Sequence, residues 1–213
     1  MSQITLRPAT PDDLPAIAYI GIIVNTTFPI YTIGFGLPAD ASAVSLDRTK
    51  HFYAQSYYHF IVAVQAEEIV GYIVWKEGGE FQEVPFQPDL PESANAAFIG
   101  YFLGTADEHK NTLPIKGLPE LEMLDVRPEY QKRGIGKMLV TEILKGVDER
   151  GEKMYVHSSK MGKGLYEKFG WRALEENGFG IDLEQWGEKE PFVTWDMVRQ
   201  VGGAVGEENG EAF

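Results

Sequence analysis

A strand and a helix meet at a basic, glycine-containing turn in the second half of the chain. The strand ends at Leu124-Asp125-Val126, and the turn reads Gln131-Lys132-Arg133-Gly134-Ile135-Gly136-Lys137. At such a turn the helix N-terminal amides point outward, the helix dipole favours negative charge, and glycine lets a phosphate approach the backbone. The spacing therefore predicts an anion site, and the clustered basic side chains favour a polyanionic ligand.

Two common nucleotide-binding motifs do not fit this turn. A dinucleotide-binding fingerprint requires a third glycine where Leu139 stands, and a P-loop requires a glycine where Gln131 stands. Taken alone, the turn could also be a simple connection between a strand and a helix, so the functional interpretation depends on further residues.

The hydrophobic pattern predicts the elements that position the turn. Alternating and β-branched runs indicate strands, and apolar residues at helical spacing indicate helices, in the order β-α-α-β-β-loop-β-α-β-α-β. This order predicts an α/β chain with a mixed sheet and a single domain over residues 1–200. The segment 76–119 is rich in proline and glycine and is predicted to be a long irregular insertion, and residues 201–213 a flexible acidic tail.

The composition limits the possible functions. The chain has 213 residues, 19 Lys and Arg against 32 Asp and Glu, a formal net charge of −13 and no Cys. The acidic balance opposes nonspecific binding to nucleic acid or anionic membranes, and the lack of Cys excludes a disulfide framework and a thiol nucleophile. We expect no metal, no nucleic acid or membrane partner, a monomer or homodimer, and a cytoplasmic location, with the nucleus as the open alternative.

Two linked motifs resemble the GNAT superfamily of N-acetyltransferases. Residues Gln131 to Gly136 match the pattern Gln/Arg-x-x-Gly-x-Gly/Ala of its acetyl-CoA-binding motif. Downstream, Tyr155-Val156-His157-Ser158-Ser159 and Gly164-Leu165-Tyr166-Glu167-Lys168-Phe169-Gly170-Trp171 look like a later strand and helix of the family. The resemblance implies the GNAT fold, a mixed, mostly antiparallel and splayed sheet flanked by helices, with acetyl-CoA in the cleft between the central parallel strands.

The resemblance also implies which residues bind acetyl-CoA. Backbone amides from Gln131 to Lys137 would hold the pyrophosphate, the main chain of Leu124 and Val126 would pair with the pantetheine arm, and Ser158 would lie beside it. The expected cofactor-binding residues are Leu124, Val126, Gln131, Lys132, Arg133, Gly134, Ile135, Gly136, Lys137, Ser158 and Tyr166.

Acetyl transfer to an amine requires a base, a donor to the oxyanion and a proton for the departing thiolate. By resemblance, Tyr166 is the general acid and the backbone N–H of Val126 is the oxyanion donor. Glu120 and Glu122 share a strand face and are candidate bases, because mutual repulsion raises the pKa of one of them. His157 at a strand end is the alternative base.

The acceptor is expected to bind among the aromatic residues near positions 28–58 and in the insertion, unless these residues only form core. The prediction is an N-acetyltransferase that transfers an acetyl group from acetyl-CoA to a primary amine of a small molecule or peptide by direct attack in a ternary complex. A cationic or aromatic acceptor is expected. The alternatives are a catalytically inactive CoA-binding domain, and a transferase with another acyl-CoA or a hydroxyl acceptor.

Overall fold

One eight-stranded sheet runs through the structure, a computed structural model that describes residues 3–35 and 38–203. The strands are β1 (Thr5–Pro8), β2 (Tyr58–Gln65), β3 (Glu68–Lys76), β4 (Glu120–Val126), β5 (Met154–Ser159), β6 (Trp171–Ala173), β7 (Phe179–Ile181) and β8 (Phe192–Arg199). They lie in the order β1-β2-β3-β4-β5-β8-β6, and β7 also pairs with β8. Only β4 and β5 pair in parallel. The predicted mixed, mostly antiparallel sheet is therefore confirmed.

Five α-helices cover the two faces of the sheet within the described residues. They are α1 (Leu14–Val24), α2 (Pro38–Tyr53), α3 (Ala96–Lys110), α4 (Ile135–Glu149) and α5 (Lys160–Lys168). A π-helical turn, Ile30–Phe35, follows α1. No helix in the described ranges is long and apolar enough to cross a membrane. Residues 204–213 of the predicted tail lie outside the described residues, and the domain boundary near residue 200 stays a prediction.

The two faces of the sheet carry separate cores. The amphipathic helix α4 buries Leu139 and Ile143 on one face, where they join residues such as Ile73 of β3. On the opposite face, Ile17 and Ile20 of α1 pack against β2 and β3. Because successive strand residues point to opposite faces, each strand contributes alternately to the two cores.

The sheet opens into a fork between β4 and β5. These strands pair only at Glu120 with Tyr155 and at Leu121 with Val156, and they part beyond that point. On the other side of β4, the register with β3 passes from Leu121 to Met123, which leaves Glu122 as the extra residue of a β-bulge. The predicted splay of the two parallel strands is confirmed.

The insertion differs from the irregular segment that its composition predicts. It contains α3, whose N-terminus is capped by the Asn95 side chain accepting the N–H of Phe98 at 3.1 Å. Phe98 and Phe102 are buried in a third core, with Leu183 and neighbouring residues of the late chain. Tertiary burial thus stabilises a helix that Gly100 and Gly104 weaken locally. The two short strands β6 and β7 were also not predicted.

Candidate active site

A cavity of about 860 Å³ opens at the fork between β4 and β5. Its lining comes from both strands, from the N-termini of α4 and α5, and from the end of α1 with the turn that follows it. A ligand in this cavity would lie at the carboxyl ends of the two parallel strands, where α/β sheets commonly bind their ligands.

The glycine turn forms one end of the cavity. Gly134 adopts a left-handed conformation (φ 84°) immediately before α4, and no side chain or backbone atom lies within 4 Å of the position that a Cβ would take there. The lining at this end comprises Gln131, Lys132, Gly134, Ile135, Gly136 and Lys137. The turn is therefore an open cradle of amides at a helix N-terminus, as an anion requires.

Arg133 has a different position from its predicted partners. Its guanidinium donates to the carbonyl of Glu129 at 2.6 Å and lies 4.9 Å from the ring centroid of Tyr130. It does not belong to the cavity lining, whereas Lys168 of α5, which was not predicted, does. The positive charge near the turn thus comes from lysines on both sides of the fork.

The backbone of β4 turns main-chain groups toward the gap at alternate residues. Arg127 donates its N–H to Val70 of β3 at 2.9 Å, so the alternation of an antiparallel strand directs the main chain of Leu124 and Val126 away from β3. The Val126 carbonyl accepts from the Gln131 side chain at 3.0 Å. The register therefore turns the main chain of both predicted residues toward the space between the parting strands.

Tyr166 reaches the gap from the α4 face of the sheet. Its ring is 6% exposed and packs with Trp171, and Gly162 leaves room for it, since a Cβ there would lie 2.9 Å from Cε2. Tyr166 belongs to the cavity lining. Burial, with the nearby charge of Asp125, raises the pKa of Tyr166, so the phenol stays protonated.

Ser158, a predicted cofactor-binding residue, lies outside the cavity lining, and its neighbour Ser159 lies in it. Ser158 is 1% exposed, donates to the Ser159 carbonyl at 2.9 Å and does not belong to the lining. Ser159 lines the cavity and caps α5 by accepting the N–H of Gly162 at 3.3 Å. The motif therefore predicted the end of β5 that reaches the cavity, where the lining serine is Ser159.

The two predicted glutamates lie at different depths. Glu122, the bulge residue, lines the cavity and lies 3.4 Å from the Tyr58 hydroxyl. Glu120 is buried outside the lining, 2.5 Å from Lys110 and 3.6 Å from Lys76. Burial and the neighbouring Glu122 raise the pKa of Glu120 above its ordinary range, as the mutual-repulsion argument predicts. Only one of the two, however, faces the gap.

His157 lines the cavity across the fork from Glu122. The parallel register ends at Leu121 with Val156, so Glu122 and His157 are the first residues beyond the point of separation. Tyr58 packs in the α1 core, and Val156 packs in the α4 core. By alternation, Glu122 and His157 therefore both lie on the face opposite α4. They flank the apex of the fork from the side that Tyr166 does not occupy.

The far end of the cavity combines aromatic rings with polar groups. Phe28, Tyr31, Phe102 and Phe192 line it, with Asn25, Asp125 and Arg48. Asp125 accepts from the Tyr72 hydroxyl at 2.7 Å and from Asn25 at 3.2 Å. Burial raises the pKa of Asp125 to about 6 against the opposing effect of these hydrogen bonds. The other predicted aromatic residues contribute elsewhere, Phe35 and Phe98 to the third core, for example.

Comparison with known proteins identifies the fold and finds a family model that matches part of the chain. The model of the acetyltransferase (GNAT) domain matches residues 94–181, which include β4, the glycine turn and Tyr166. Over this part of the chain the sequence is similar to the GNAT acetyltransferase domain, and solved structures show the GNAT fold. A comparison with curated protein sequences found no significant match.

Solved structures with the GNAT fold align over nearly the whole chain. A histone acetyltransferase HPA2 and related acetyltransferase from Corynebacterium glutamicum has a TM-score of 0.60 at 18% identity, covering 95% of this chain and 98% of its own. The PaiA N-acetyltransferase from Thermoplasma acidophilum, in complex with coenzyme A, has a TM-score of 0.56 at 15% identity, covering 93% and 99%. NAA60 from Arabidopsis thaliana, in complex with a bisubstrate analogue, has a TM-score of 0.58 at 18% identity, covering 95% and 100%. The predicted fold class is thereby confirmed.

Some polar residues at or beside the cavity are ones that the sequence motifs do not indicate. Asp196 and Thr194 come from β8, and His109 comes from α3. They approach the cavity only because β8 pairs with β5, and because α3 packs beside that pair. No spacing rule connects them to the glycine turn. Within the described ranges, no group of three or more His, Asp or Glu residues is arranged to hold a metal ion.

Proposed function

We propose that this GNAT protein is an acetyl-CoA-dependent N-acetyltransferase that acts on a primary amine of a small molecule or peptide. The observation that carries the proposal is the arrangement at the fork. Tyr166 approaches the gap from one face, Glu122 and His157 flank it on the other, and all three line the same cavity as the glycine turn. A thioester in the gap would meet a nucleophile and a proton donor on opposite sides.

The cosubstrate would bind at two places in the cavity, the glycine turn and the backbone of β4. The open amide cradle at Gly134, with Lys132 and Lys137 beside it, fits a pyrophosphate. The main-chain groups of Leu124 and Val126 that face the gap fit the amides of a pantetheine arm. The Gln131 side chain donates a hydrogen bond to the Val126 carbonyl. That hydrogen bond must break before the carbonyl can pair with a pantetheine amide.

The reaction requires one bond to form and one to break. The amine nitrogen attacks the thioester carbonyl carbon, the N–H proton passes to a base, and the C–S bond breaks as the thiolate departs. The Val126 N–H would stabilise the carbonyl oxygen as it becomes negative. The Tyr166 phenol, kept neutral by its raised pKa, would donate a hydrogen bond or a proton to the sulfur. Transfer is direct, since the chain has no Cys to carry an acyl group.

The two groups at the apex suit different tasks. The Glu122 carboxylate attracts an ammonium acceptor, and the imidazole of His157 is the residue type best suited to accept a proton near neutral pH. Glu120 is engaged with Lys110 and Lys76, so the proposal leaves it out of proton transfer.

The proposal is tested by calorimetric titration with acetyl-CoA and by thiol release in the presence of a panel of primary amines. We expect micromolar binding, with amine-dependent release that Y166F lowers on the order of tenfold or more while affinity for acetyl-CoA is kept. E122Q should raise KM for the amine, and E120Q should lower stability more than turnover. Binding without turnover would indicate an inactive CoA-binding domain, and turnover with a longer acyl-CoA or an alcohol would redirect the specificity. No binding would refute the proposal.

A further inference from the structure

A buried carboxylate beside the cavity joins two histidines. Asp196 of β8 is 5% exposed, and its Oδ1 lies 2.8 Å from His157 Nδ1 and 2.5 Å from the Tyr155 hydroxyl. Its Oδ2 lies 2.9 Å from Nε2 of His109. Although burial opposes ionisation, the hydrogen bonds from His157, Tyr155 and His109 hold the pKa of Asp196 below its ordinary value. The group is therefore a carboxylate at neutral pH.

The carboxylate fixes the proton of His157. Because an ionised carboxylate only accepts hydrogen bonds, Nδ1 of His157 carries the hydrogen, and the lone pair of a neutral ring lies on Nε2. The His157 side chain is 38% exposed and lines the cavity. Among the described residues Nε2 has no hydrogen-bond partner. A proton-accepting nitrogen is thus held in one orientation at the apex of the fork.

His109 in turn fixes the carboxylate. Its ring stacks on Phe179 of β7 at a centroid distance of 3.7 Å and an interplanar angle of 2°, and its side chain is 15% exposed. A ring in this packed position holds Oδ2 of Asp196, which leaves Oδ1 to Tyr155 and His157. His109 belongs to α3, so the insertion contributes a polar group to the network beside the cavity.

We propose that Asp196 and His109 are positioning residues for His157, and that the insertion 76–119 takes part in catalysis through His109. This inference rests on the proposed acetyl transfer to an amine. As the N–C bond forms, the acceptor's N–H proton moves to Nε2 of His157, and Asp196 stabilises the imidazolium. His109 keeps the carboxylate in place while this charge develops.

The kinetic test compares D196N, H109F and H109Q. Tyr155 and His109 contact Asp196, and Glu122 lies across the fork from His157. Lys110, 5.5 Å from the Tyr155 ring centroid, and Glu120 are the charged groups behind Tyr155. We expect D196N to lower kcat roughly 100-fold and to move the acid limb of the kcat/KM profile to lower pH, because no carboxylate then stabilises the imidazolium. H109F keeps the stacking on Phe179 but removes the donor, so the limb should move to higher pH.

The controls separate positioning from folding. H109Q retains an N–H donor and should resemble the wild type. H59F is a matched control, since His59 also stacks on an aromatic ring, Trp75, and bonds to a carboxylate, Glu77, but away from the cavity. The affinity for acetyl-CoA should stay unchanged in every variant. An acid limb unmoved by H109F, or moved equally by H59F, would overturn the proposal.

A second measurement does not require turnover. The chain has four histidines, so nitrogen NMR of labelled histidine can resolve the His157 ring in the wild type and in the variants. We expect the Nδ1-protonated tautomer, with a titration midpoint that falls in D196N and rises in H109F. If no amine is acetylated but the NMR result holds, the proposed function fails while the network stands. The opposite tautomer would overturn the network itself.

Discussion

The hydroxyl of Thr194 is buried at the cavity without a hydrogen bond. The residue is 3% exposed, and its Oγ1 has no partner among the described residues. An unsatisfied buried hydroxyl carries a desolvation cost, which an acceptor with a hydrogen-bonding group could offset. We expect T194V to leave the free energy of unfolding unchanged or to raise it by up to about 1 kcal/mol, and to raise KM for the acceptor only.

Thr49 provides the matched control for that substitution. It is similarly buried, at 4% exposure, but its hydroxyl donates to the Ser45 carbonyl at 2.8 Å. T49V should therefore lower the free energy of unfolding by about 1 kcal/mol in urea titrations without changing KM. A large loss of stability in T194V would show that its hydroxyl has a partner.

Gly134 is the residue on which we expect cosubstrate binding to depend most. Its φ of 84° is costly for a side chain, and its Cβ position opens into the cavity. We expect G134A to lower stability by about 1 kcal/mol and to weaken acetyl-CoA binding more than tenfold by calorimetry. Gly187 has φ 91° and an equally open Cβ position outside the cavity, so G187A should show the same strain with unchanged affinity. Equal affinities in the two variants would contradict the assignment.

The residues of the site differ in how far sequence can predict them. Gly134 and Tyr166 belong to local motifs, in which the chemistry and the spacing coincide. Thr194 and Asp196 are distant in sequence and reach the site through the pairing of β8 with β5. At the end of β5 the motif predicts Ser158, whereas the serine in the cavity lining is Ser159.

The first helical turn depends on a compact ionic cap. Asp13 accepts from Arg7 at 2.6 and 2.9 Å and from the Thr10 N–H at 2.7 Å. The Arg7 guanidinium, with Thr10, holds the pKa of Asp13 well below its ordinary value. A lowered pKa in the folded state stabilises the fold above the unfolded value near 4, and this stabilisation is lost as the pH falls.

We therefore expect D13N to lower the free energy of unfolding by about 2 kcal/mol at pH 7. The difference from the wild type should shrink toward pH 3, because Asp13 of the unfolded chain is then largely protonated while the folded carboxyl is still ionised. Urea unfolding at both pH values measures this. Asp12 is exposed in the same turn, so D12N should have little effect at either pH. A difference that persists unchanged at pH 3 would exclude the ionic cap.

Elements were predictable where local and tertiary signals agree. The strand and helix on either side of the glycine turn have clear periodicity, and so they appear as predicted. Helix α3 has glycines in its interior and prolines on both sides of it, and it forms because Phe98 and Phe102 find a core made by distant residues. Strands β6 and β7 have three residues each, too few for any alternation to be visible.

The whole molecule carries a net charge of −13. Two buried carboxylates lower the stability of the fold when they ionise. Burial raises the pKa of Asp125 to about 6 and that of Glu120 above its ordinary range. A raised folded-state pKa contributes stability below the unfolded value near 4, and that stability is lost as the pH rises through the folded value. Stability should therefore rise by on the order of 1–3 kcal/mol from pH 8 to pH 5.5.

Urea unfolding across this pH range tests the prediction. The slope of the unfolding free energy against pH is more informative than the free energy at any one pH. D125N should make the slope of unfolding free energy against pH shallower between pH 5 and 7. Asp89 is exposed in the insertion, and D89N should leave the slope as it is. An unchanged slope in D125N would show that groups other than Asp125 cause the pH dependence of stability.

The two-pair contact between β4 and β5 has a mechanical consequence. The backbone hydrogen bonds of the sheet form two half-sheets joined by a short seam, and the apolar layer under α4 spans both. A substrate arm lying in the gap would supply the cross-links that the chain itself lacks. Local opening of the free protein should start at this seam, where few bonds must break. Binding would then bridge the two half-sheets, so that the substrate itself would stabilise the fold of the protein.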